Sequence, residues 1–317
     1  MKNLFLYFGI SITILTTVYY IYYFSGHVSD IPRLAFSSKA ALVCCVAVLL
    51  YMVIILLGGT VWYFFLEQYK QNISWLDSQI IYGQSQFGKY LPGNFAHHVG
   101  RVVLSRKHGI AMPVIVVSMM LEMVWAIAIG LGMAAVISIV GAGHAIESGY
   151  GHSAYYIAAA LFAVVVILSY LFLRYLKRNV HPVSGRLQYL CRLGLPGAMS
   201  LMKVTALYVI SFLIFGLIMG LHAKYLFNVH DVNLMLLVGI FAWAWTLGFI
   251  TPGSPAGLGV RDTVLLAALT PLYGSGVAIG LSLSLRLVTT LGDGVWFFVS
   301  LLTPSLVRKK SIKINQE

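Results

Sequence analysis

Charged residues are scarce in this chain. They make up 9% of the 317 residues, against roughly 25% in an average soluble domain. Hydrophobic residues account for 60%, and no polar stretch exceeds about 25 residues, which is less than a folded domain needs. A separate soluble domain is therefore excluded, and we expect one transmembrane domain over residues 1–317.

Cysteines and recognisable catalytic motifs are also few. Cys44, Cys45 and Cys191 form no CxxC spacing, so redox and zinc chemistry have no support. The chain has no Walker loop, GxSxG elbow or HExxH pair, which removes the usual signals of ATP hydrolysis, serine hydrolysis and zinc catalysis. We expect no cofactor, no metal and no enzymatic activity.

Apolar runs of about 20 residues recur instead, each long enough to cross a bilayer as a helix. They predict an all-α polytopic membrane protein with about six full spans. These spans are Leu4–Phe24, Ala41–Phe65, Met112–Val140, Ala154–Leu173, Ala198–Leu221 and Val277–Leu302.

Two further apolar regions are interrupted. Ile73–Ser105 contains Pro92-Gly93, and Val232–Leu269 contains Pro252-Gly253. Proline removes a backbone donor and glycine weakens a helix, so neither region forms one continuous helix. Irregular backbone at membrane depth requires cover from protein or from a water-filled cavity. Both regions are interpreted as re-entrant hairpins.

The two breaks share a spacing. Arg101 follows Pro92 by nine residues, Arg261 follows Pro252 by nine, and the prolines are 160 positions apart. Corresponding Pro/Gly breaks are typical of transporters built from repeated halves. We predict an inverted repeat, with repeat A at about 41–140 and repeat B at about 198–302. The alternative is coincidence, because Pro-Gly is a common turn dipeptide.

Basic residues predict the orientation. Thirteen lie in loops on the side of the N-terminus and three on the other side, which indicates cytoplasmic N- and C-termini. The first group is Lys2, Lys70, Arg106, Lys107, Arg174, Lys177, Arg178, Arg186, Arg192, Arg308, Lys309, Lys310 and Lys313, and the second is Arg33, Lys39 and Lys224. This distribution explains the net charge of +12 without a nucleic-acid partner.

Each break is also a candidate anion site. A helix that restarts after Pro-Gly presents free N–H groups and a positive dipole end. Arg101 and Arg261 add a permanent charge whose planar fork suits phosphate or carboxylate. Asp262 is expected to balance Arg261. The alternative for both arginines is that they snorkel to an interface.

Ionisable residues inside the other spans are further candidates. Glu122 is expected to pair with Arg101 or Arg286, or to titrate in a proton-coupled cycle. Arg286 is a site candidate, and Asp293, seven residues later on the same helix face, is its expected orienting partner.

Two smaller patterns have simpler interpretations. His97 and His98 are adjacent and chelate poorly together on a helix, so interface or headgroup contacts are favoured over a metal. Gly216 and Gly220 form a GxxxG pattern, which predicts close packing against another helix.

These motifs resemble the flippase-like membrane domain of the lysylphosphatidylglycerol synthases. The resemblance is carried by Gly88-Lys89-Tyr90-Leu91-Pro92-Gly93 with Gly100-Arg101, by Glu122, by Gly257-Leu258-Gly259-Val260-Arg261-Asp262, and by Arg286. The family commonly has glutamate at the position of Asp262, and aromatic or small residues at His97-His98. No synthase domain follows in this sequence, so the resemblance implies a stand-alone flippase-like protein of the inner membrane.

The resemblance implies a lipid translocase whose site lies between the two hairpins. Its cargo would be an anionic phospholipid, an amino-acylated phospholipid included, or a lipid-linked glycan precursor. An integral-membrane transferase or hydrolase, or an accessory subunit of lipid-linked glycan assembly, is the alternative. The expected substrate-binding residues are Arg101, Arg261, Arg286, Glu122, Pro92, Gly93, Pro252, Gly253, Gly257, Gly259 and Asp262.

Overall fold

The computed structural model describes residues 2–32, 37–90, 96–145, 196–252 and 254–314. Within these ranges the chain is helical and contains no strand. The predicted span Ala154–Leu173 and the predicted site residues Pro92, Gly93 and Gly253 lie outside the described residues. The expectation of an all-α membrane protein is confirmed.

Nine α-helices are described, and three short 3₁₀ turns accompany them. The helices are α1 (Lys2–His27), α2 (Ser38–Gln68), α3 (Trp75–Gln86), α4 (Ala96–Lys107), α5 (Met112–Ala145), α6 (Ala198–Tyr225), α7 (Leu234–Ile250), α8 (Val260–Tyr273) and α9 (Ser275–Ile314). The 3₁₀ turns are Val28–Asp30, Phe87–Tyr90 and Pro255–Gly257.

Local sequence explains several helix ends. The side chains of Ser37, Ser74 and Asn233 each accept a hydrogen bond from a backbone N–H in the first turn of α2, α3 and α7, which satisfies an otherwise unpaired donor. The turn between α8 and α9 is made by Gly274, whose φ of +82° is readily adopted only by glycine.

Four of the described helices are long and apolar enough to cross a membrane. They contain the candidate spans Ser38–Gln68, Met112–Ile137, Ala198–Tyr225 and Ser275–Thr303. The first predicted span is helical as part of α1, and α7 is a shorter apolar helix. Large side chains such as Leu42, Leu213 and Leu287 remain exposed on these helices, as expected of surfaces that face lipid.

The GxxxG pattern of α6 marks a close helix contact, as predicted. A Cβ atom at Gly216 would collide with Val238, and one at Gly220 would collide with Leu234. Both partners belong to α7, and Phe215 of α6 stacks on Phe241 of α7 at a ring distance of 3.9 Å. The absent side chains therefore let α6 and α7 approach closely.

Each interrupted region forms a pair of packed helices. The first pair is α3 and α4, and the second is α7 and α8. Helices α2–α5 correspond in order to helices α6–α9, and their contacts correspond as well. Helix α3 packs on α9, and its counterpart α7 packs on α5. Helix α2 packs on α9, and its counterpart α6 packs on α5. Helix α2 also packs directly against α6.

Candidate functional site

The two interrupted hairpins meet inside the protein. Turn Phe87–Tyr90 of the first hairpin contacts turn Pro255–Gly257 of the second. Beside this contact lies a cavity of about 220 Å³. Charged and histidine side chains form part of its lining, and these are Lys89, Arg101, Arg261, Arg286, Glu122, Asp293, His97 and His98. Asp262 lies outside the lining.

Arg101 of α4 forms an ion pair with Glu122 of α5. Of the two partners predicted for Glu122, the structure therefore selects Arg101. The arginine is 2% exposed, and its guanidinium carbon lies 4.4 Å from the ring centroid of Tyr82 and 5.3 Å from that of Trp62. The charged group is held by a carboxylate and by two aromatic faces, which favour a cation.

Arg286 of α9 pairs with Asp262 of α8. Its Nε donates to Asp262 Oδ1 at 2.8 Å and its terminal nitrogen donates to the other carboxylate oxygen, which is the bidentate geometry that suits a guanidinium. Ser282 also donates to Asp262 Oδ1 at 3.1 Å. The direct ion pair of Asp262 is therefore made with Arg286, while Arg261 lies within electrostatic range of the same carboxylate without a salt bridge to it.

The predicted pairing of Asp293 with Arg286 is wrong, because Asp293 contacts other residues. It forms an ion pair of 2.7 Å with Lys89 and accepts hydrogen bonds from Tyr51 at 2.9 Å and Tyr90 at 2.5 Å. Neither Lys89 nor Asp293 is among the expected substrate-binding residues, and Asp293 was expected only to orient Arg286. An aspartate in the middle of an apolar span was the available signal, because it requires a partner.

Arg261 differs from the other cations of the cavity. It is 9% exposed, no carboxylate of the described residues forms a salt bridge with it, and its Nε is buried without a hydrogen-bond partner there. The charges of Arg286 and Asp262 and the hydroxyls of Tyr51 and Tyr90 lie within electrostatic range. A buried charge without a partner is costly, and among the described residues Arg261 is the cation of the cavity that forms no ion pair.

Backbone conformation places Arg261 in the cavity. Gly257, with φ of +73°, and Gly248 lie against it, and a Cβ on either glycine would stand 3.2–3.3 Å from Arg261 Cβ. Ala256 also has a positive φ of 50°, which is uncommon for a residue with a side chain. The close approach of α7 and α8 therefore depends on small residues at these positions.

The N-cap residue of α8 is hydrogen-bonded to the first turn of the helix. Gly259 has φ of +81°, and its N–H donates to Asp262 Oδ2 at 3.1 Å. This hydrogen bond uses the N–H of the residue that precedes the helix, so the predicted free N–H groups inside the first turn stay a prediction. A Cβ at Gly259 would collide with Thr16 and Thr17, so this glycine packs against α1 and does not line the cavity.

The remaining predicted residues divide between the cavity and its surroundings. Pro252 lies in the bend after α7, half-buried and outside the cavity lining. His97 and His98 line the cavity with ring centroids 3.8 Å apart, and the Nδ1 atom of each is buried without a partner. Among the described residues, no group of three His, Cys, Asp or Glu side chains is arranged to hold a metal ion.

Together, the fold and the cavity define a polytopic helical membrane protein with a charged cavity between its helices. A family model described as "Lysylphosphatidylglycerol synthase TM region" matches residues 6–296. The chain belongs to this family, which places it among membrane proteins of lipid metabolism or translocation. A comparison with curated proteins finds no match.

Proposed function

We propose that this protein is a lipid translocase that moves an anionic headgroup between membrane leaflets. The unpartnered guanidinium of Arg261, buried in a cavity between two hairpins, is the observation that carries the proposal. An anionic headgroup would supply the missing counter-charge, and charge-assisted hydrogen bonds of this kind contribute about 1.5–3 kcal/mol each. The acyl chains would stay in the bilayer.

The other charged groups of the cavity support a site that binds a lipid headgroup without catalysing a reaction on it. The three described carboxylates of the site, Glu122, Asp262 and Asp293, are each held in an ion pair. A carboxylate whose oxygen is engaged by a cation of the protein is less available to accept a proton from a substrate. This favours transport over the transferase or hydrolase alternative.

The packing of the two halves supports a rocking movement. We propose that residues 41–140 and 198–302 form an inverted repeat, since the contacts of α2–α5 and α6–α9 correspond under exchange. In transporters of this kind the site lies at the interface between repeats, and one half moves against the other. The ion pair between Lys89 and Asp293 of α9 connects the first hairpin to the second half. This ion pair would break and re-form during the transport cycle.

We further propose a location in the inner membrane with both termini in the cytoplasm. The excess of Lys and Arg in the loops on the side of the N-terminus supports this orientation.

A leaflet-exchange assay tests the function. The purified protein is reconstituted into vesicles that contain a trace of fluorescent phosphatidylglycerol, and dithionite bleaches the fraction exposed outside. Arg261→Gln is expected to slow exchange at least about tenfold, the loss of one charge-assisted hydrogen bond. Arg106→Gln is the matched control, because Arg106 is an exposed arginine of α4 outside the cavity lining.

The outcomes separate the candidate functions. Equal exchange rates for the wild type and Arg261→Gln would refute the role of Arg261 in headgroup binding. Equal exchange rates for wild-type vesicles and protein-free vesicles would refute the translocase function. In the second case, turnover of a lipid-linked sugar by the purified protein would favour the enzyme alternative. Activity only in the presence of other glycan-assembly proteins would favour the accessory subunit.

A further inference from the structure

A second cavity lies at the contact of α2, α3 and α9, apart from the central cavity between the two hairpins. Its volume is about 110 Å³, and it shares no lining residue with the central cavity. Most of its lining is apolar, and the apolar members are Leu56, Trp75, Leu76, Ile80, Trp296 and Val299. We call this cavity the α3–α9 groove.

The polar atoms in the lining of the groove are engaged or covered by the protein. The side-chain nitrogen of Gln79 donates to a backbone carbonyl of α2 at 3.2 Å and to Thr60 Oγ1 at 3.1 Å. The hydroxyls of Ser300 and Thr303 donate to carbonyls of their own helix. Gln79 Oε1 and Trp296 Nε1 have no described partner and are covered by neighbouring atoms. Because an apolar cavity takes up hydrocarbon and stays free of water, we expect a lipid chain inside the groove.

The groove opens to the lipid-facing surface of the protein. Trp75 is 45% exposed and Val299 is 42% exposed, and Val299 belongs to the candidate span Ser275–Thr303. A chain that moves from the bilayer into the groove exchanges one apolar environment for another, which supplies no hydrophobic driving force. Selection of a particular lipid must therefore come from its polar end.

The groove lies at the end of a membrane span. Thr303 lines the groove and is the last residue of the candidate span of α9. Trp75 is the first residue of α3, and tryptophan is enriched at membrane–water interfaces. Helix α9 continues beyond the span to Ile314. This continuation carries a basic run that consists of Arg308, Lys309, Lys310 and Lys313.

The spacing along α9 brings the basic run within reach of a lipid in the groove. Lys310 follows Thr303 by seven residues, so it lies about 10 Å further along the helix, near the same face. The loop before α3 adds Lys70, which is exposed. Residues 67–77 and 304–314 together contain five basic residues and two acidic ones, Glu67 and Asp77. This border is therefore positive, and basic residues beside a membrane attract anionic lipids.

We propose that the α3–α9 groove is a second lipid site, which holds one acyl chain of an anionic phospholipid while the basic run of α9 binds its phosphate. The lipid belongs to the leaflet on the side of the C-terminus and is separate from any transported lipid. Helices α3 and α9 come from different halves of the chain and pack on each other beside the groove. The bound lipid therefore stabilises this arrangement of the two halves and regulates their movement.

Quenching of tryptophan fluorescence by brominated lipids tests the site, because Trp75 and Trp296 line the groove. The full-length protein is reconstituted into phosphatidylcholine vesicles with the same mole fraction of either dibromostearoyl phosphatidylglycerol or dibromostearoyl phosphatidylcholine. We expect the brominated phosphatidylglycerol to be enriched at these two residues by at least about fivefold, the effect of one basic residue near an anionic lipid.

Tryptophan variants assign the quenching to the groove. The excess quenching by phosphatidylglycerol should disappear in Trp75→Phe with Trp296→Phe. Trp243→Phe is the matched control and should retain the excess, because Trp243 is an exposed tryptophan of α7 outside the groove.

A substitution in the groove tests the chain contact. Val299→Phe narrows the groove and should abolish the excess quenching. Val295→Phe should retain it, because Val295 lies one turn earlier on α9, is 43% exposed and does not line the groove. Phosphatidylglycerol should also raise the melting temperature of the wild type more than that of Val299→Phe, since a ligand stabilises the state that binds it.

Charge variants test the phosphate contact. Arg308→Gln with Lys309→Gln and Lys310→Gln should reduce quenching by the brominated phosphatidylglycerol to the level of the brominated phosphatidylcholine. Lys39→Gln with Lys224→Gln removes exposed lysines of α2 and α6 and should leave the excess unchanged.

Several results would overturn the inference. Equal quenching by the two brominated lipids would refute the anionic headgroup, and quenching by neither would indicate that protein, such as a second copy of the chain, covers the groove. An excess that survives the loss of Trp75 and Trp296, or that survives Val299→Phe, would place the lipid elsewhere. A loss of the excess in Arg261→Gln would place it in the central cavity. Absence of leaflet exchange would refute only the translocase function, because the groove does not depend on it.

Discussion

The ion pair between Arg101 and Glu122 gives the most quantitative test of the structure. Arg101 is 2% exposed and the Glu122 side chain is 13% exposed, so neither charge is well solvated by water. Glu122→Ala would leave the guanidinium buried against Tyr82 and Trp62 without a carboxylate. We expect this single substitution to be strongly destabilising.

The size of the effect follows from burial. Removal of one partner from a buried ion pair costs about 3–5 kcal/mol, because an uncompensated charge remains. At the lower end of the usual conversion for large domains, about 2 °C per kcal/mol, the melting temperature should fall by about 6–10 °C. Replacement of both partners, Arg101→Met with Glu122→Met, leaves no buried charge and should restore most of this loss.

Thermal unfolding of the purified protein, followed by tryptophan fluorescence, measures these shifts. Glu67→Ala is the matched control, because Glu67 is an exposed glutamate near the end of α2, and surface substitutions change stability by about 0.5 kcal/mol or less. A Glu122→Ala shift no larger than that of Glu67→Ala would refute the buried pair. So would a double variant that is less stable than Glu122→Ala.

Three further predictions concern backbone and charge. Gly259→Ala should cost more than Gly274→Ala, because it adds a collision with α1 to the backbone strain of about 1–3 kcal/mol that both substitutions introduce at a positive φ. Thermal unfolding measures both. Lys89→Met should destabilise by about 3 kcal/mol because it leaves Asp293, 1% exposed, without its cation, and addition of Asp293→Leu should recover part of this loss. Gly248→Ala should slow leaflet exchange severalfold, because its Cβ crowds the site arginine and small displacements of binding groups are costly.

Other glycines of the chain provide the controls for these changes. A Cβ at Gly294 of α9 meets nothing within 4 Å, so Gly294→Ala should leave exchange unchanged and raise stability by about 0.5–1 kcal/mol. Comparable exchange by Gly248→Ala and Gly294→Ala would contradict the crowding. Equal melting temperatures for Gly259→Ala and Gly274→Ala would contradict the contact between α8 and α1, and a neutral Lys89→Met would contradict its ion pair.

The backbone breaks could be predicted because their effect is local. Proline and glycine act on the helix that contains them, whatever surrounds it. The predicted hairpin Ile73–Ser105 therefore appears as α3 and α4, and Val232–Leu269 as α7 and α8. The GxxxG pattern was also sufficient to predict a close helix contact, because only a residue without a side chain leaves room for the neighbouring helix at Gly216.

The ion pairs were harder to predict because they join separate helices. Arg286 and Asp293 share one helix face seven residues apart, yet they bind different partners. Arg286 reaches Asp262 across the α8–α9 turn, and Asp293 reaches Lys89 of the first hairpin. Sequence spacing gives neighbours along a helix, whereas these contacts depend on how helices from the two halves are packed.

The sequence by itself determined that the chain is a helical membrane protein, that two of its segments are broken, and that arginines follow the breaks. Composition and local backbone chemistry suffice for these properties, since each depends on neighbouring residues alone. Only the tertiary structure decided that Asp262 forms its ion pair with Arg286 and leaves Arg261 without a salt bridge among the described residues. Electrostatic pairing falls off over a few ångströms, so the identity of the free cation depends on helix packing.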